Sequence, residues 1–146
     1  MNTFLKTKAP TYSALLLALL LPARLLADHL AITINPPPYI NTLSQNEARS
    51  IFSMRTQNWP DGSPITVYVM PGRTEIHNNF VKQYLKLLPH QLKRSWDRMI
   101  YTGVGQAPVE VRSETEMVER LLSTPGSIGY LPKENVNDQL HIINIE

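Results

Sequence analysis

Four histidines are the residues of this sequence best suited to bind a metal ion or move a proton: His29, His77, His90 and His141. They show neither His-x-x-x-His nor His-Glu-x-x-His spacing, which would place two imidazoles on one helix face. Each fits an isolated surface or strand-end histidine. The chain has no cysteine, which excludes thiol catalysis, disulfides and cysteine metal sites. We therefore expect no metal site and no cofactor.

Other segments that could support catalysis lack the necessary partners. The segment GSIG, residues 126–129, is one residue short of the Gly-x-Ser-x-Gly elbow, so Ser127 is predicted to be a turn residue. The segment GVGQAP, residues 103–108, has too few glycines for a dinucleotide loop and follows a predicted helix instead of a strand. Glu114 and Glu116 fall in the first turn of a predicted helix, where the helix dipole favours negative charge. These patterns predict that the protein is not an enzyme.

One segment, VMPGRTEIHNNF at residues 69–80, offers a physical reason to bind a ligand. It leads from a predicted strand through Gly72 and Arg73 into a helix that begins near Thr74. Ligands of open α/β sheets collect at the carboxyl ends of strands, and a helix start offers amide donors to an anion. Gly72, Arg73 and Thr74 are therefore the candidate ligand-binding residues. In the alternative interpretation, Thr74 only caps the helix and Arg73 is only solvated.

The first 27 residues have the layout of a cleaved secretory signal peptide, with Lys6 and Lys8 before a short apolar run and Ala27 at the predicted cut. Cleavage would leave residues 28–146 as one domain in the periplasm. Lys6, Lys8 and Arg24 would leave with the signal peptide, so 11 of the 14 basic residues would face 12 acidic ones. Such a balance gives no reason to expect nucleic-acid binding, which needs a basic face.

Strand and helix patterns alternate along the rest of the chain. Ser44 with Glu47 and Ser113 with Glu116 each have capping-box spacing, which marks a helix start. The predicted helices cover about 45–52, 75–88, 90–101 and 114–123, and the predicted strands cover 29–35, 65–70, 128–131 and 140–145, with a brief strand or extended connection in PVEVRS at 108–113. Alternation of this kind predicts an α/β fold with a mainly parallel sheet flanked by helices.

Apolar residues at helical spacing predict which face of each helix is buried. The expected core positions of the last three helices are Ile76, Phe80, Val81, Tyr84, Leu85, Leu88, Leu92, Trp96, Met99, Ile100, Met117, Leu121 and Leu122.

The segments LSQNEARSIFSMRTQNWPDGSPITVYV and RSWDRMIYTGVGQAPVEVRSETEMVERLLSTPGSIGYLP, in this order, resemble the phosphate-type substrate-binding proteins of ABC transporters, specifically their short single-lobe relatives. The resemblance covers roughly residues 30–132. It implies a single lobe of a type 2 periplasmic-binding-protein-like fold, a location in the periplasm of Gram-negative bacteria, and phosphate or another small anion as the ligand.

The same resemblance implies a weakened site. Larger relatives have Ser-Gly-Thr at the helix start, and counting back from Phe80 these places are held by Thr74, Glu75 and Ile76. Glu75 adds a negative charge and Ile76 has no side-chain donor, so only weak anion binding is expected. The alternative is a non-transport periplasmic interaction domain that docks to a membrane sensor, a porin or a secretion component.

Overall fold

The computed structural model describes residues 30–34 and 40–146. The predicted signal peptide, residues 1–27, lies outside the described residues, as does the start of the predicted domain. The strands are β1 Leu30–Ile34, β2 Thr42–Leu43, β3 Thr66–Val69, β4 Val109–Glu110, β5 Ser127–Pro132 and β6 His141–Ile145. The α-helices are α1 Gln45–Phe52, α2 Glu75–Gln83, α3 Pro89–Tyr101 and α4 Glu114–Ser123, and a 3₁₀ turn covers Lys133–Asn135.

The six strands form one sheet in the order β2-β6-β1-β5-β3-β4. β3 is parallel to both β4 and β5, and β2 is parallel to β6. β1 is antiparallel to both neighbours, with Ile32 opposite Tyr130 of β5 and Ile143 of β6. The remaining five strands run in one direction, which confirms the predicted α/β fold with a mainly parallel sheet.

The direction of the strands places three helix starts at one edge of the sheet. α1, α2 and α4 each begin a few residues after the carboxyl ends of β2, β3 and β4, respectively. Because those strands run the same way, their carboxyl ends meet at the same edge. A ligand that uses backbone amides at the start of α1, α2 or α4 would be bound at this edge.

The start of α1 is set by the predicted capping box. The Glu47 carboxylate accepts a hydrogen bond from the Ser44 backbone N–H at 2.8 Å, and the Ser44 hydroxyl accepts one from the Glu47 N–H at 3.2 Å. The Ser44 hydroxyl also donates to the Glu47 carboxylate at 2.6 Å, and this bond, with the one from the Ser44 backbone N–H, lowers the pKa of Glu47 below its usual 4.5. The helix has the predicted bounds, because local chemistry is sufficient to define its beginning.

The helix predicted at 75–88 ends at Gln83, five residues early. Lys86 has a φ of 50°, which the right-handed helix does not allow, and Leu88 is extended at φ −88° and ψ 142°. Pro89 explains the second feature, since proline disfavours helical geometry in the preceding residue. Leu88 is 49% exposed, so its predicted place in the core was wrong.

The third helix buries less than its pattern predicted. Leu92 is buried and Trp96 and Met99 pack partly against the core, whereas Ile100 is 51% exposed and its prediction was wrong. The Trp96 indole N–H donates to the Phe52 carbonyl oxygen at 2.8 Å, so α3 crosses the end of α1. Beyond Trp96, Met99 still packs partly against the core, whereas Ile100 and Tyr101 are exposed.

The second predicted capping box forms only in part. The Ser113 hydroxyl accepts from the Glu116 N–H at 3.1 Å, but the Glu116 carboxylate accepts from the Arg112 N–H at 2.9 Å instead of from Ser113. The predicted face of α4 is confirmed, with Met117 and Leu121 fully buried.

The turn between α1 and β3 places the indole of Trp59 in the core. The Trp59 backbone N–H donates to the Ser63 carbonyl at 2.8 Å, and the Trp59 carbonyl accepts from the Gly62 N–H at 2.8 Å. Gly62 has a left-handed φ of 87°. The Trp59 indole N–H reaches the Gly126 carbonyl at 2.9 Å. A Cβ on Gly126 would lie 2.8 Å from the Pro64 carbonyl oxygen, so the turn and the start of β5 are in close contact.

Candidate functional site

The predicted ligand loop lies where the sequence placed it, at the carboxyl end of β3. Met70 and Pro71 are buried, Gly72 and Arg73 are exposed, and α2 begins at Glu75. Gly72, Arg73 and Thr74 are consecutive in a turn that leads into the helix. The structure therefore supplies the geometry of a helix-start site.

Thr74 is the N-cap of α2. Its hydroxyl donates to the Pro71 carbonyl at 2.7 Å and accepts from the His77 N–H at 3.4 Å. The only hydroxyl proton is thus engaged, and an anion could use it only after the side chain rotates. This is the capping role of the alternative interpretation.

The donors that remain are backbone amides and Arg73. The first N–H groups of a helix have no intrahelical acceptor, and here these include the amides of Glu75 and Ile76. Arg73 is exposed and forms no ion pair within residues 40–146. A Cβ added to Gly72 would meet no atom within 4 Å, so packing alone does not require glycine there.

Glu75 places a negative charge next to these donors, and the other helix starts at this sheet edge also have acidic first turns. Glu75 is exposed at the first position of α2, and the first turns of α1 and α4 at the same sheet edge contain Glu47, Glu114 and Glu116. Carboxylates at these positions stabilise the helix dipole and occupy the favourable electrostatic position that an anion would use. An anion at the start of α2 would therefore compete with Glu75 for this position.

A buried hydrogen-bonded pair lies directly beneath the loop. His77, in the first turn of α2, is only 3% exposed, and its Nδ1 lies 2.7 Å from the Tyr130 hydroxyl. The same hydroxyl accepts the Met70 backbone N–H at 2.8 Å. Burial lowers the pKa of His77 below its usual 6.5 and raises that of Tyr130 above 10.0, so both groups are neutral at physiological pH.

The prediction that every histidine lies at the surface or at a strand end was wrong for His77. It was missed because the helical stripe was read from Ile76 in steps of four. The buried positions of α2 are His77, Phe80 and Val81, and Tyr84 packs partly against the core one turn later. This i, i+3, i+4, i+7 pattern was the available signal.

The other features that could support chemistry do not form a second site with the loop. Ser127 is fully buried and its hydroxyl donates to the Leu121 carbonyl at 3.2 Å. The described part of the chain contains no cluster of three or more His, Asp or Glu side chains placed to hold a metal ion. A cleft of about 470 Å³ lies between α1 and the Trp59 turn, and its lining includes none of Gly72, Arg73 and Thr74.

No helix within residues 40–146 combines the length and apolar character needed to cross a membrane. No family model matches the sequence, and no curated protein matches it.

Comparison with solved structures shows the fold. An ABC-type phosphate transport receptor from Vibrio cholerae matches 81% of this chain at a TM-score of 0.63 and 15% identity. PstS from Borrelia burgdorferi matches 82% at a TM-score of 0.62 and 19% identity. A phosphate ABC transporter substrate-binding structure from Clostridium perfringens, with bound phosphate, matches 81% at a TM-score of 0.64 and 13% identity.

The match is to part of each structure. It covers 46%, 47% and 45% of those three chains, respectively, so this chain spans less than half of their length. The predicted fold class, one lobe of a periplasmic-binding-protein-like fold, is confirmed. At 13–19% identity the similarity establishes the fold alone.

Proposed function

We propose that this protein is a periplasmic solute-binding-like protein that binds phosphate or another small anion weakly at Gly72, Arg73 and Thr74. The observation that supports this proposal best is the exposed loop before α2, at the carboxyl edge of a mainly parallel sheet. The fold is shared with a structure that was solved with bound phosphate. The proposal contains no catalytic step.

The chemistry of binding follows from the two kinds of donor in the loop. The amides of Glu75 and Ile76 would point at the anion from the positive end of the α2 dipole. The Arg73 guanidinium would form two parallel hydrogen bonds with oxygens of a phosphate or carboxylate. Gly72 would allow the anion to approach the backbone closely.

The affinity should be low because the loop is open to water. An exposed charge pair contributes about 1 kcal/mol or less, and a Kd in the millimolar range corresponds to about 4 kcal/mol in total. One arginine and two amides, opposed by Glu75, are consistent with that range.

Export is a separate part of the proposal and has its own test. The mature chain should begin at or near Asp28, and the intact mass of the protein in the periplasmic fraction would show this. A full-length chain retained in the membrane would contradict the export proposal without touching the anion site.

The anion site can be tested by titrating residues 28–146 with phosphate and following backbone amide signals by NMR at constant ionic strength. The signals of Gly72 to Ile76 should shift and saturate at millimolar phosphate, and Arg73→Ala should remove most of the shift. Arg55→Ala is the matched control, since Arg55 is an exposed arginine that forms no ion pair within residues 40–146.

Two results would change the proposal. Micromolar affinity abolished by Arg73→Ala would make the protein a high-affinity receptor instead of a weak one. The absence of any shift in the loop would refute anion binding and favour the alternative, a periplasmic interaction domain that docks to a membrane sensor, a porin or a secretion component.

A further inference from the structure

Both ends of the loop that contains the candidate anion site are bonded to one buried hydroxyl group. Met70, the last residue before the loop, donates its backbone N–H to the Tyr130 hydroxyl at 2.8 Å. His77, just after the loop in the first turn of α2, places its Nδ1 2.7 Å from the same oxygen. Residues 71–76 therefore lie between two points that share a single hydrogen-bonding centre.

The position of that hydroxyl is fixed by aromatic packing. Tyr130 is fully buried in β5, and its ring stacks on Phe80 of α2 with centroids 3.9 Å apart and planes 10° from parallel. Phe52 of α1 lies 6.2 Å from the Tyr130 ring and 4.7 Å from Phe80. A ring held from two helices has little freedom to move its hydroxyl.

The donors and acceptors of this group match when the imidazole is neutral. The Tyr130 oxygen accepts the Met70 N–H, and its own proton is then available for the unprotonated Nδ1 of His77, which leaves the ring proton on Nε2. Burial keeps His77 neutral by lowering its pKa. The Met70 and Tyr130 protons thus each have one acceptor within this group.

We propose that the Tyr130 hydroxyl is a positioning group for the loop at residues 71–76. It fixes the start of α2 relative to the end of β3, so that Arg73 and the first amides of α2 face the solvent in one arrangement. This inference concerns the site of the proposed function and rests on it for the affinity prediction, but the ordering of the loop can be measured without any ligand.

The direct test is Tyr130→Phe, which keeps the stacked ring and removes only the hydroxyl. Both Met70 N–H and His77 Nδ1 then lose a buried partner. Tyr68→Phe is the matched control, because Tyr68 is also buried and its hydroxyl lies 2.8 Å from the Thr124 hydroxyl, outside the loop.

Amide hydrogen exchange is the first readout. Three amides report on the loop and its junction with α2: those of Thr74, His77 and Asn78, which donate to the Pro71 carbonyl, the Thr74 hydroxyl and the Thr74 carbonyl, respectively. In Tyr130→Phe their exchange should accelerate roughly ten-fold more than that of core amides, since a lost buried partner has an effect of about that size. Tyr68→Phe should leave the ratio of loop to core exchange rates unchanged.

Phosphate titration is the second readout. If the proposed anion site exists, Tyr130→Phe should raise the phosphate Kd about three- to ten-fold because the donors no longer share one arrangement, while Tyr68→Phe should not change it. If the unaltered protein shows no phosphate shift, the proposed function fails, and the exchange measurement still decides whether Tyr130 positions the loop.

Variants at His77 provide the same test should Tyr130→Phe fail to fold. His77→Leu removes the acceptor for the Tyr130 proton, whereas His77→Gln can retain an acceptor through its side-chain carbonyl. We expect faster loop exchange in His77→Leu and near-normal exchange in His77→Gln. Uniform acceleration across the whole domain in Tyr130→Phe or His77→Leu, or no acceleration at all, would overturn the proposal.

Discussion

Glu75 should oppose anion binding and stabilise α2 at the same time, so Glu75→Gln should change the two properties in opposite directions. Glu75 is exposed at the first position of the helix, beside Arg73 and the free amides. An exposed charge next to a bound anion contributes about 0.5 to 1 kcal/mol. Its removal should lower the phosphate Kd roughly two- to five-fold.

The same change removes a favourable interaction between the carboxylate and the helix dipole. That interaction is worth about 0.5 kcal/mol at an exposed helix start, which corresponds to a melting temperature lower by about 2 °C in a domain of this size. NMR titration with phosphate at constant ionic strength measures the affinity, and thermal unfolding followed by circular dichroism measures the stability.

Glu119→Gln is the control, since Glu119 is an exposed glutamate of α4 and its loss changes the net charge equally. An equal gain in affinity from both variants would show that total charge, and not the start of α2, governs binding. An unchanged or weaker affinity in Glu75→Gln would refute the placement of the anion beside Glu75.

Three further predictions concern stability. Trp96→Ala should lower the free energy of unfolding by about 3 kcal/mol, because it removes a large partly buried ring and its hydrogen bond, whereas Ile100→Ala should change it by less than about 0.5 kcal/mol. Gly126→Ala should cost clearly more than Gly62→Ala. Both have left-handed φ values, 76° and 87°, which cost about 1 kcal/mol for alanine, but only the new Cβ at Gly126 would clash. The free energy of unfolding should also fall as the pH drops below about 6.5, because burial lowers the folded-state pKa of His77, so the unfolded chain takes up the proton first. His77→Gln should remove this slope.

Urea unfolding of each variant checks these predictions. A Trp96→Ala protein as stable as the original would show that the Trp96 ring contributes little to the core. Equal costs at the two glycines would show that the turn can move away from Gly126. A pH slope that persists in His77→Gln would assign it to another group, and the window to examine lies between 6.5 and the lowered pKa of His77.

Several elements could be predicted because their signals are local. The capping box of Ser44 and Glu47 starts α1 within four residues of chain, and the predicted bounds 45–52 are confirmed. The loop from Gly72 to Thr74 was placed correctly at a strand end because a buried strand and a helical stripe flank it. Neighbouring residues determine such features, so no knowledge of distant contacts was needed.

The end of α2 and its buried face depended on contacts that the sequence does not show. The stripe through Ile76, Phe80 and Leu88 fits helical spacing, but α2 ends at Gln83, so Leu88 lies outside the helix and is exposed, and His77 joins Phe80 on the buried face. Apolar spacing shows neither the point at which the helix stops nor the burial of a histidine, because the first depends on the turn at Lys86 and the second on the partner hydroxyl of Tyr130 in β5.

The sequence by itself determined the α/β alternation, the helix starts and the place of the candidate loop, because these depend on spacing, caps and turns of a few residues. The tertiary structure alone decided that β1 runs against its neighbours and that Tyr130, 53 residues after His77, bonds both ends of the loop. Strand direction and buried polar pairs depend on which surfaces meet when the chain closes, and residues far apart in sequence have no local signal for that meeting.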